Sequence, residues 1–157
     1  MIPEDLVSLL EKQPGSINRT NKELALSALK NLGVSQDSEF GEIFINYIPA
    51  EFKSSVSNEY ICDLSEPTEE ILSGTEFVQD MWELPENYVA FTSLQGEGAY
   101  LLDKDSGGVW DFDLGQQKEF VSGLIPPKWS GFFEFIRWYL SPAEQKNRID
   151  LLCAHDY

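Results

Sequence analysis

Between Lys53 and Lys104 the chain runs fifty residues without a single Lys or Arg, while carrying eleven carboxylates: Glu59, Asp63, Glu66, Glu69, Glu70, Glu76, Asp80, Glu83, Glu86, Glu97 and Asp103. A stretch of one sign cannot neutralise itself. It must spread its charge over a surface or stay solvated as a tail. Tyr60, Phe77, Trp82, Tyr88 and Phe91 are interleaved with the acids. That much aromatic surface favours a folded acidic face over a disordered segment.

The remaining composition fits one domain spanning residues 1–157. A chain of 157 residues that is 42% hydrophobic can bury a core without disulfide or metal staples. The net charge of -16 repels phosphate, which excludes nucleic acid and an anionic membrane as direct partners and favours a cationic protein. Solubility alone is the competing explanation of such a charge. Cys62 and Cys153 are too few for a disulfide framework or a zinc site and read as small core residues of a reducing compartment. Acids at Glu4 and Asp5, where a secretory leader would have bases, and the lack of a long apolar run predict a cytoplasmic protein.

Periodicity divides the chain into helices, strands and helices. Pro3, at an N1 position, is followed by Leu6, Leu9 and Leu10 at helical spacing until Pro14 and Gly15. Thr20 and Glu23 have capping-box spacing before a stripe of Leu24, Ala25, Ala28, Leu29 and Leu32 that stops at Gly33. Ser35 to Ser38 open a third helix with Phe40, Ile43, Phe44, Tyr47 and Ile48 on one side, and Pro49 closes it. From Glu59 a period of two predicts a strand through Leu64, with further strands over 88–92, 99–103 and 109–112. The glycine-bearing segments 96–98 and 104–108 suit hairpin loops, so a meander is expected. Residues 67–82 read as one or two short helices broken near Gly74. Pro126-Pro127 introduce a helix over 129–140 with Phe132, Phe133, Ile136, Tyr139 and Leu140 on its apolar stripe, and Ser141-Pro142-Ala143-Glu144 open a last one toward Leu151 and Leu152. Segregated elements of this kind predict an α+β fold, a twisted antiparallel sheet flanked by N-terminal and C-terminal helices that cover one face.

Catalytic and metal-binding patterns are sparse. His155 is the sole histidine and lies three residues from the end, so a triad or histidine metal site has little to work with. Counting a calcium loop from Asp103 puts Gly107 at a ligand position and Leu114 where a bidentate glutamate belongs, so a hairpin turn is the better reading of 103–108. Glu69-Glu70 and Asp111/Asp113 are read as solvated carboxylates, and neither Ser106-Gly107-Gly108 nor Gly96-Glu97-Gly98 opens a phosphate-binding helix. Trp82 and Trp110 each stand beside carboxylates and are candidates for exposed anchors. These readings argue against an enzyme and predict neither cofactor nor metal.

Five segments, taken in order, resemble the SUKH superfamily: Leu32-Gly33 followed by Phe40 to Tyr47, Leu84 to Phe91 with Pro85 near its entry, Gly98 to Asp103, Gly107 to Asp111, and Ser130 to Ile136. That superfamily includes fungal cell-wall assembly regulators and many bacterial proteins. The resemblance implies an α+β fold with a twisted antiparallel sheet. For bacterial members it implies an immunity protein that binds and neutralises a polymorphic or contact-dependent toxin, often a nuclease. No catalytic residues carry over, because inhibition by binding needs none. Combined with the acidic middle third, this predicts a monomer that takes a basic toxin domain through Glu66, Glu69, Glu70, Asp80, Glu83, Glu97 and Asp105, with Trp82 as an anchor. A non-catalytic regulatory or scaffold module is the alternative.

Overall fold

A computed structural model describes residues 1–64, 70–94 and 96–142. The expected helix after Ser141, together with Cys153 and His155, lies outside them. Helix α1 spans Glu4–Glu11, with Pro3 as its N-cap rather than its first helical residue, and buries Leu6 and Leu10. Helix α2 spans Lys22–Leu32 and is capped by Asn21, whose side chain accepts from the Leu24 N–H at 3.3 Å, in place of the Thr20 box. It ends where Gly33 adopts φ 76°. There the Gly33 and Val34 N–H groups close on the Lys30 and Leu29 carbonyls, which is a Schellman ending. Helix α3, Glu39–Asn46, starts at Ser38, whose hydroxyl accepts from the Gly41 N–H at 3.0 Å.

Helix α4 spans Glu70–Met81 without a break at Gly74. The glycine instead lies where α4 meets β1. A Cβ built there would lie 3.7 Å from the Ala90 carbonyl oxygen, so the helix rests directly on the adjoining strand. Beyond it Glu83 takes a left-handed φ of 55°, and the Leu84 N–H turns back to the Val78 carbonyl.

Strands β1 (Tyr88–Ala90), β2 (Gly98–Asp103) and β3 (Val109–Asp113) form an antiparallel meander in that order. Val89 pairs with Leu102 and Leu101 with Trp110. The strand expected at 59–64 does not form. Ile61 makes only an isolated bridge to Thr92, flanked by bonds from Cys62 N–H to the Phe91 carbonyl and from Ser93 N–H to the Tyr60 carbonyl, each 2.9 Å. The reason lies in α4, which occupies that edge: the Ala90 N–H, free to pair with a fourth strand, donates instead to Thr75 Oγ1 at 3.1 Å.

Helices cover both faces of the sheet, not one. On the first face Val89, Tyr100, Leu102 and Val109 meet α1, α2, α3 and the last described helix, α6 (Phe132–Tyr139). Aromatic rings fill this layer: Phe40 stacks on Phe44 at 4.3 Å and meets Phe132 edge-on at 4.8 Å, while Phe91 meets Phe135 at 5.1 Å. On the second face Ala90, Ala99, Leu101, Trp110 and Phe112 pack against Val78 and Trp82 from α4 and Phe120 from α5 (Gln117–Val121). Neither α5 nor the 3₁₀ turn before it, Leu114–Gln116, was expected from periodicity. Double coverage explains why Ala99, Tyr100, Leu101 and Leu102 are all buried, with no alternation along β2. Helix α6 starts later than predicted, because Trp129 is held in a bridge to Val109.

Candidate functional site

Among the described residues, those expected to meet a partner do not form one patch. Glu66 and Glu69 lie outside the described residues. Asp80 and Glu83 are exposed at the end of α4, and Glu97 is exposed in the β1–β2 loop. The chain brings these toward one end of the sheet, since the Leu114 N–H bonds the Glu97 carbonyl at 2.8 Å and Gln117 Nε2 reaches the Trp82 carbonyl. Asp105 is exposed at the opposite end, past β2, and six extended residues span about 20 Å. Glu70 is half-buried at the start of α4 and accepts from the Tyr60 hydroxyl at 3.4 Å.

Trp82 is not an anchor on the surface. It is 8% exposed and packs its ring 5.6 Å from Phe112 in the second core. Trp110 is buried too, with its indole N–H donating to the Ile125 carbonyl at 2.9 Å. On α4 the residues Ile71, Thr75 and Val78 face inward, and continuing this spacing carries Trp82 inward with them. The same geometry turns Phe77 and Met81 outward, where they are 41% and 67% exposed. Tyr60 is 50% exposed nearby, and it shares with Phe77 a surface groove of about 500 Å³. Sequence could have found this pair: on a helix over 70–81, Phe77 and Met81 fall one turn apart on the side that carries Glu76 and Asp80.

No described ion pair cancels the charge of the exposed acids on this face. Described ion pairs engage Asp5 and Glu134 with Arg137, Asp111 with Lys128, Glu42 with the amino terminus and Asp63 with Arg19. None reaches Glu76, Asp80, Glu83, Glu86, Glu97 or Asp105, all of which are exposed. Two of the cations are used for structure: Arg19 is buried and donates Nε to the Phe44 and Tyr47 carbonyls at 2.6 and 3.2 Å, and Lys104 donates to the Leu32 carbonyl at 3.0 Å. Lys128 lies over the Trp129 ring at 5.0 Å.

Several titratable groups are displaced from their ordinary ranges by burial. Burial, then the Glu70 and Asp63 charges, pushes the Cys62 thiol up to about 12, which leaves it protonated and a poor nucleophile. Burial and the Asp111 carboxylate raise the Glu59 carboxyl against an opposing hydrogen bond from Thr92. Tyr100 and Tyr139 are also pushed up to about 12, chiefly by burial. This group is held as packing: Tyr139 donates its hydroxyl to the Glu59 carbonyl at 2.9 Å, and the Tyr100 ring lies against Trp129 and Phe135. Asp103 closes the β2–β3 turn. Burial opposes its ionisation, but hydrogen bonds from Asn87, Asp105 and Ser106 outweigh that and hold its carboxyl below the usual range. Among the described residues no group of three or more His, Cys, Asp or Glu is placed to hold a metal ion, and no helix is long and apolar enough to cross a membrane. No protein-family model and no curated protein matches the chain.

Proposed function

We propose that this protein is an immunity protein that binds a cognate polymorphic or contact-dependent toxin, a basic nuclease domain, and neutralises it by covering its active surface. The observation that carries the reading is the acidic face: exposed carboxylates on α4 and its neighbouring loops that no described ion pair engages. A nuclease must present Lys and Arg to phosphate. An inhibitor with rigidly held carboxylates meets those same groups, steers the encounter and raises the association rate at low salt. The face suits this task because α4 is fixed, through Gly74 against β1 and through Thr75 to the Ala90 N–H. The SUKH-like segments support the same reading: they fall on the end of α2, most of α3, β1 and its entry, β2, the start of β3 and the start of α6.

The test is affinity capture with the tagged full chain from the organism that encodes it, at 50 and 500 mM salt, followed by growth assays. A stoichiometric basic domain should be recovered, associate more slowly as salt rises, arrest growth when expressed alone and lose toxicity when co-expressed with this protein. Recovery of only neutral housekeeping proteins, or a captured domain that stays toxic beside its partner, would move the reading to a regulatory or scaffold module.

A further inference from the structure

We infer that the outer ridge of α4, formed by Phe77 and Met81, is the docking edge for a basic amphipathic helix of the partner protein. The inference rests on the partner-binding reading above and names where that binding is centred and what meets it. Ser73, Phe77 and Met81 follow one another at i, i+4 spacing, and the two apolar members are 41% and 67% exposed. A row of this kind is the ridge that one helix sets into the groove of another. A shallow depression adjoins each apolar member: one beside Phe77, lined by Tyr60 and Ser93, the other beside Met81, lined by Leu114 and Gln117. Both are open to solvent. That shape suits a protein surface, which is held by many shallow contacts, and not a small molecule, which needs enclosure.

The charges beside the ridge set the sign of what docks. Glu76, Asp80 and Glu83 are exposed and enter no described ion pair. Glu119 adds a further carboxylate beside Met81, against one cation in the same depression, Lys118. A second copy of this chain brings the same charges and is repelled. A neutral apolar partner would strip water from the carboxylates without replacing it. A helix with an apolar stripe and Lys or Arg on its flanks satisfies both requirements, laying the stripe along Phe77 and Met81 and the bases against the acids. The apolar contact is then the desolvated centre of the interface, and the surrounding charges fix register and speed the encounter. The ridge also supplies the anchor that Trp82, packed in the core, does not.

The probe is a blocked peptide of three Leu-Lys-Arg-Leu-Lys-Ala-Arg repeats, with an isomer of the same composition whose leucines are scattered around the helix. Each is titrated at 150 mM salt into the isotopically labelled full chain. The first peptide should give saturable amide shifts centred on Ser73, Phe77, Asp80 and Met81 and bind at least about tenfold more tightly than the isomer. Affinity should fall about tenfold with Met81→Ser and with Phe77→Ser. Glu83→Gly should weaken binding about threefold while melting no lower than the parent, because Glu83 holds a left-handed φ of 55° that glycine adopts without strain. Asp105→Asn, at the other end of the sheet, should change affinity less than about twofold, since charges more than a Debye length away are screened. Equal binding of both peptides, shifts centred elsewhere, no saturable shift, equal losses in Glu83→Gly and Asp105→Asn, or unchanged affinity in both serine variants would each overturn the ridge. Self-association of the peptide-free chain that Met81→Ser abolishes would also overturn it, by giving the ridge to a second copy. Misfolding does not blur these outcomes, because Met81 is mostly exposed and each spectrum reports its own fold. A captured toxin whose affinity neither serine variant moves would remove the ridge and leave the immunity reading standing. Peptide binding on the ridge without any captured toxin would do the reverse.

Discussion

The Glu39 carboxylate, in the first turn of α3, accepts a hydrogen bond at 2.9 Å from the backbone N–H of Phe133, 94 residues further along the chain. It thereby caps α6, whose own N-cap residue, Gly131, supplies no side chain. A negative group at a helix N-terminus satisfies an orphan donor and complements the helix dipole. The contact also explains the glycine: a Cβ at Gly131 would stand 2.6 Å from Glu39 Oε1, while the backbone there is ordinary extended chain.

Glu39→Ala and Gly131→Ala should therefore damage the same interaction. Each is expected to cost about 1 kcal/mol, the usual cost of a lost cap. The double variant should cost little more than either single one, because alanine at 131 has no carboxylate left to displace. Urea unfolding of the four proteins gives the cycle, and full additivity would show that the two positions act independently.

Thr75→Val tests the link that fastens α4 to the sheet. The substitution preserves shape but removes the hydroxyl that receives the buried Ala90 N–H. An unsatisfied buried donor costs about 1–3 kcal/mol. The Ala90 amide should also exchange faster with solvent than in the parent, and hydrogen exchange reads this directly. Unchanged protection would mean that the strand edge is shielded by packing alone.

Glu59 should weaken the fold at neutral pH. Burial, helped by the Asp111 charge, raises its carboxyl in the folded state, and one of its oxygens, Oε2, is buried with no hydrogen-bond partner among the described residues. A carboxyl raised on folding favours the folded state once it is protonated. Its contribution therefore improves as pH falls through the raised folded value and levels off below the unfolded value of about 4.3. Glu59→Gln should be more stable than the parent at pH 7, with the difference disappearing below about pH 4. Thermal unfolding across that range measures it, and a gain that persists at low pH would point to packing instead of charge.

Trp82→Ala should cost about 3–5 kcal/mol, the range for removing a large core aromatic, since its ring packs on Phe112 in the second core and meets the partly exposed Phe77 ring edge-on. Its fluorescence should resist quenching by iodide in the folded protein. Ready quenching and a small loss of stability would return Trp82 to the surface.

Much of the architecture is legible in local sequence. Gly33 ends α2 because a left-handed residue is needed there, Ser38 starts α3 because its hydroxyl can cap, and the glycine-bearing turns set a meander. The run from Ala99 to Leu102 contains no polar residue to alternate with, so burial on both faces was written in it, although segregation of helices and strands pointed to one covered face. The Ile61 segment was misread for a different reason. Its alternation is that of a strand, but whether it pairs depends on what else reaches the β1 edge, and Thr75 arrives there from α4.

The sequence by itself determined the charge of this protein and the types and order of most of its elements, because these depend on composition and on contacts within one helix or turn. Only the tertiary structure decided which side of α4 faces outward. Packing α4 on β1 through Gly74 draws Trp82 into the core and leaves Phe77, Met81 and Tyr60 outside among carboxylates. Burial of a side chain is settled by the surface that meets it, and that surface comes from strands distant along the chain.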